Sequence, residues 1–140
     1  MGDPSQSSGV VERYLACLGS QDWDGLATTV ADRGLVRDGP FCDMVEGKEA
    51  YLGFLRGVFS GLHGYQLHVH RISHASERLS FVELTETFDI NGVPTEYPEC
   101  LVFEQDGDGL ISYVSVFIKR PGGEPRVEGG RAGQRQRGTA

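Results

Sequence analysis

Two acids in this chain of 140 residues stand where a carboxyl could do chemistry. Asp38 closes the run Leu35-Val36-Arg37-Asp38 just before Gly39-Pro40, where a strand meets the mouth of a fold. Glu99 lies inside EYPECLVF and alternates with Tyr97, Leu101 and Phe103. If that face points inward, Glu99 is a carboxyl among apolar side chains. Burial raises the pKa of such a group and lets it act as a base or as a neutral donor. The plainer alternative has Asp38 opening a turn and Glu99 facing solvent. Asp89 follows Glu83, Thr85 and Thr87 on a polar strand face and reads as exposed.

Other reactive residues point to less. His68 and His70 share a strand face, but spacing places no carboxylate with them, so a polar outer face explains them and no metal is expected. Asp106 and Asp108 in DGDG lack the third ligand and the closing glutamate of a calcium loop, and a hairpin turn accounts for them. Cys17, Cys42 and Cys100 are odd in number and have no CxxC spacing. They read as small core residues in a reducing compartment, and a cytoplasmic location is expected. The motifs GxGxxG, GxSxG, HExxH and the phosphate-binding loop do not occur.

The elements that must position the acids follow from periodicity. Val10, Val11, Tyr14, Leu15 and Leu18 recur at helical spacing and Gly19 is a plausible stop. Trp23, Leu26 and Val30 mark a second short helix capped by Asp22 or Asp24. After a short strand over GLVRDGPF, the stripe Tyr51, Phe54, Leu55, Val58, Phe59 and Leu62 predicts the third helix. From Tyr65 the period changes to two. Strands follow from Tyr65, from Leu79 to Ile90 and from Thr95 to Gln105, with Asn91-Gly92 as a hairpin turn. The last strand, LISYVSVFIK, is apolar on nearly every residue and should be central and covered on both faces. The fold class is therefore α+β, with helices on one face of a single sheet.

Composition narrows the class further. The chain carries a net charge of −7, which argues against nucleic acid or an anionic membrane as partner. No apolar run approaches the ~18 residues of a membrane span, and residues 1–8 do not read as a secretory signal. Residues 1–8 and the Gly/Arg-rich tail 121–140 offer almost nothing to bury and are expected to be disordered around a domain over 9–120.

VVERYLACLGSQDWDGL, then VRDGP, then EGKEAYLGFL resemble the nuclear-transport-factor-2-like superfamily, nearest the ketosteroid isomerases and SnoaL-like polyketide cyclases. The resemblance covers about Val10 to Lys119. It implies three N-terminal helices packed on one strongly curved antiparallel sheet, forming a cone with an apolar pocket. It also implies roles. Tyr14 matches the isomerases' oxyanion-donating tyrosine, Asp38 their general base, and Glu99 the carboxylic acid they keep neutral as a second donor. TETFD (Thr85 to Asp89) resembles a segment of limonene-epoxide hydrolases, but Thr87 and Ser115 stand where those enzymes carry an arginine and an aspartate.

The expected activity is a cofactor-independent isomerase or cyclase acting on a hydrophobic, steroid-like or polyketide-derived carbonyl compound. Carboxylate base and preset oxyanion donors suffice for that chemistry. The alternatives are a non-catalytic module binding an apolar ligand or a protein, and an epoxide-opening enzyme. A homodimer through the sheet is the expected assembly.

Overall fold

A computed structural model describes residues 9–119. The expectations for residues 1–8 and 121–140 lie outside the described residues. Three helices come first or are interleaved early: α1 (Gly9–Ser20), α2 (Trp23–Ala27) and α3 (Lys48–Ser60). Six strands complete the chain: β1 (Val36–Asp38), β2 (Met44–Glu46), β3 (His63–His74), β4 (Leu79–Ile90), β5 (Val93–Gln105) and β6 (Ile111–Ile118). The apolar spacing of α1 does what it predicts, burying Val10, Val11, Tyr14, Leu15 and Leu18. Asp22 is the cap of α2, its carboxylate accepting from the Gly25 amide at 3.0 Å. Asn91 and Gly92 both take positive φ, 51° and 80°, as a tight right-twisted hairpin requires.

The sheet runs β2-β1-β6-β5-β4-β3 and is open. Two expectations need correction here. The sheet is mixed rather than antiparallel, because β1 pairs parallel with β6. β3 starts opposite in direction to β1, and three hairpin reversals bring β6 back alongside it. β2 has no counterpart in the sequence reading either. Residues 39–43 fold back through Cys42 at φ 60°, with the Gly39 amide donating to the Asp43 carbonyl at 2.9 Å. Six strands in an open sheet with a parallel step therefore replace the expected strongly curved, wholly antiparallel sheet.

One face of the sheet carries the core. Val82 and Leu84 of β4, Leu101 and Phe103 of β5, and Val114 and Val116 of β6 pack against the buried stripes of α1 and α3. Alternation sends their neighbours to the outer face. β6 is central, as its composition implies, yet it is covered on one face only: Phe117 is 60% exposed. The helices reach just the inner side. No helix among the described residues is long and apolar enough to cross a membrane.

Candidate active site

Leu84 and Glu99 are cross-strand partners, as are Glu86 and Tyr97, so Glu86 and Glu99 share the inner face with the core leucines. That face meets α1 and α3 around a partly open cavity of about 120 Å³. Tyr14 projects into it from α1, Tyr51 and Phe54 from α3, Arg37 from β1, and Val114 and Val116 from β6.

The two tyrosine hydroxyls are hydrogen-bonded to one another. Both rings are buried, at 2% and 1% exposure. Burial first, and then the neighbouring Tyr51, pushes the Tyr14 hydroxyl well above its ordinary value. Burial raises Tyr51 to about 12. Both therefore stay protonated at neutral pH. Two hydroxyls sharing one bond leave one proton unspent, and that proton is a donor for the cavity.

Glu99 is 9% exposed. Burial, then a hydrogen bond to Glu86 and the charge of Glu86, raises it to about 10, with Arg37 opposing. Glu99 is thus held neutral beside Glu86, because two carboxylates this close cannot both ionise in an apolar wall. Glu86 Oε2 also accepts from the Tyr65 hydroxyl at 2.6 Å. Burial and the charge of Glu86 raise the Tyr65 hydroxyl strongly. Tyr65 in turn packs between Phe59 and Phe88, so an aromatic chain holds the hydrogen bond in place.

Arg37 has a side chain only 12% exposed. Its guanidinium lies 4.4 Å over the Phe54 ring and reaches Asp43 at 3.4 Å. The loop over 39–43 is what permits this. A Cβ on Gly39 would stand 2.5 Å from both Arg37 Nη1 and Asp43 Oδ1.

The structure brings Tyr14 and Glu99 to one cavity and leaves Asp38 out of it. Asp38 is level with Ser115 on β6, whereas Val114 and Val116 face the cavity. Its carboxylate accepts from the Tyr113 hydroxyl at 3.0 Å on the outer face. The expected convergence of Tyr14, Asp38 and Glu99 does not occur, and the reason is strand parity: Arg37, one residue earlier, takes the inward position. Parity also places Thr87 and Asp89 of TETFD outward and Glu86 inward.

Glu86, Arg37 and Tyr51 are the residues that the sequence reading missed. The signal for Glu86 was present, since Val82, Leu84, Glu86 and Phe88 alternate along β4 as Glu99 does along β5. Nothing in the spacing could choose Arg37 over Asp38.

Several polar residues elsewhere have structural partners. Asp106 Oδ1 accepts from the amides of Asp108 and Leu110 at 2.9 and 3.1 Å, which closes the turn. His70 bonds Thr85 and His74 bonds Ser80, each at 2.7 Å. Among the described residues no three His, Cys, Asp or Glu side chains are placed to share a metal. A larger groove of about 540 Å³, lined by His70, Thr85, Cys100 and Phe117 of the outer face, also has Glu99 in its lining and so borders the acid pair. The smaller cavity is the better candidate, because Tyr14, Tyr51 and Glu99 are buried there and desolvation strengthens each polar group.

Fold and cavity together define a helix-backed sheet domain with a pocket of tyrosines and carboxyls. The chain belongs to the SnoaL-like domain family, whose pattern matches residues 11–114, and so to the nuclear-transport-factor-2-like fold. Solved structures agree on the fold. An LEH-like epoxide hydrolase of M. tuberculosis is 24% identical, with 82% of this chain and 84% of that one covered at a TM-score of 0.70. A proposed ketosteroid isomerase from Kribbella flavida DSM 17836 is 21% identical, covering 94% and 90% at 0.72. A proposed SnoaL-like polyketide cyclase from Shewanella denitrificans OS-217 is 10% identical, covering 81% and 90% at 0.71. No curated protein matches the chain.

Proposed function

We propose that this protein is a cofactor-independent isomerase or cyclase that transfers a proton on a carbonyl compound, with Glu86 as the base. The observation that carries this reading is the inward carboxyl pair beside the tyrosine pair. Glu86 accepts the proton from the carbon next to the carbonyl, and the electron pair moves onto the carbonyl oxygen. The free hydroxyl proton of the Tyr14–Tyr51 pair donates to that oxygen as charge develops. Neutral Glu99 keeps the second negative charge out of the site. Glu86 then returns the proton to a different carbon, which makes the reaction an isomerisation, or leaves the enolate to close a ring.

The aliphatic wall of Leu18, Leu55, Val114 and Val116 suits an apolar substrate body. Its volume of about 120 Å³ suits a small one, since sites for drug-sized ligands span ~300–1,000 Å³. A steroid skeleton would have to open the cavity. The exposed Phe81 and Phe117 on the outer face are the surface for a second copy of the chain.

Exchange of α-hydrogens for deuterium in small ketones, followed by proton NMR, tests the reading. Glu86→Gln lowers the exchange rate about 10²–10⁴-fold, as loss of a general base does. Asp38→Asn leaves it unchanged. If the two variants behave the other way round, Glu86 is not the base. If the wild-type protein exchanges nothing, the non-catalytic binding reading takes precedence. The placement of Asp38 outside the cavity favours that second reading, because it removes the base implied by the resemblance.

A further inference from the structure

The inner cavity presents hydrogen-bond donors at Arg37 and at the tyrosine pair, with the Glu86 carboxylate beside them. Glu86 already accepts from the Tyr65 hydroxyl at 2.6 Å. The tyrosine pair has a proton to give. Arg37 lines the same wall, and its only hydrogen bond among the described residues runs from Nη1 to Asp43. Its Nε and Nη2 edge is therefore unspent. Asp43 compensates the guanidinium weakly: the contact is 3.4 Å long and the Asp43 side chain is 47% exposed. Such a pair is screened by water and salt.

A guanidinium held in one plane is a fork matched to a planar carboxylate. Phe54 helps to hold it, with the guanidinium carbon 4.4 Å from the ring centroid. The cavity lining then offers two kinds of subsite, one cationic at Arg37 and one neutral-donor at Tyr14 and Tyr51. From this juxtaposition we infer that the substrate is a short oxo acid whose carboxylate pairs with Arg37 and whose carbonyl faces the tyrosine hydroxyls. The inference rests on the same cavity as the proton-transfer reading and names its substrate class. A volume of about 120 Å³ is well below the ~300–1,000 Å³ of sites for drug-sized ligands, which suits an acid of a few carbons. In a 3-oxo acid the methylene between the two groups is the acidic carbon. That carbon falls between the subsites, beside the Glu86 carboxylate.

Acetoacetate and its neutral isostere acetoacetamide discriminate the two kinds of head group. Titration of the full-length protein with each, followed by amide chemical shifts near Tyr14 and Arg37, yields both dissociation constants. Acetoacetate binds about tenfold or more tightly than the amide, as expected for a charge-assisted pair. Arg37→Met brings the ratio to about one, and Arg37→Lys retains part of it by keeping charge without the fork. Circular dichroism on each variant establishes that it is folded. Equal binding of acid and amide by the wild-type protein overturns the inference. So does an unchanged preference in folded Arg37→Met, or the absence of any shift with either ligand. The proton-transfer reading fails separately: a retained acid preference with no deuterium exchange removes the base and leaves the carboxylate subsite standing.

Discussion

Replacing Glu99 by glutamine should make this protein more stable at neutral pH, and the size of the gain follows from the site. Glu99 has an ordinary value of 4.5 and is raised to about 10 in the fold. The folded state therefore holds the proton more tightly than the unfolded chain. The stability that this proton contributes is fully present below about pH 4.5 and is lost as pH rises toward 10. Each pH unit in that window costs about 1.4 kcal/mol. From 4.5 to pH 7 the loss is about 3 kcal/mol, a large part of the ~5–15 kcal/mol that holds a domain folded. Glutamine is neutral at every pH, nearly the same shape, and can still donate to Glu86. Its stability lacks that slope. Urea denaturation of both proteins near pH 5 and near pH 7 measures the difference directly. The variant should gain on the wild type by about 3 kcal/mol between the two conditions. A difference that does not change with pH would show that Glu99 ionises freely, and the neutral-acid role would fall with it.

The tyrosine pair gives a second test of the same wall. Tyr14→Phe leaves the buried Tyr51 hydroxyl without its partner and should cost about 1–3 kcal/mol in chemical denaturation. The double variant with Tyr51→Phe should cost less than the sum, because no orphan hydroxyl remains; strictly additive losses would refute the pairing. On the outer face, sedimentation equilibrium should show a two-fold dimer at micromolar concentration, and Phe117→Glu should shift it to monomer. A wild-type protein that stays monomeric removes the sheet-mediated assembly.

Much of this architecture was legible in the sequence for identifiable reasons. Period 3.6 in α1 and α3, period two from Tyr65 onward, and Asn91-Gly92 are local signals, and local sterics and burial suffice to interpret them. Glu99 was legible too, because Tyr97, Leu101 and Phe103 flank it on one face and the helices cover that face. β2 was not. Met44-Val45-Glu46 is too short to read as a strand alone, and it exists by pairing with β1.

The site itself was decided by tertiary structure. The parity of β1 depends on its parallel register with β6, Val36 opposite Tyr113, and the two segments lie far apart in the chain. That register turns Arg37 inward and Asp38 outward, and a shift of one residue would exchange them. The partnerships of Tyr14 with Tyr51 and of Glu86 with Glu99 likewise join helix to helix and strand to strand across long separations. Sequence determined which side chains are available and which elements carry them. Only packing decided which of them share a cavity, because hydrogen bonding and desolvation act between neighbours in space, whatever their order in the chain.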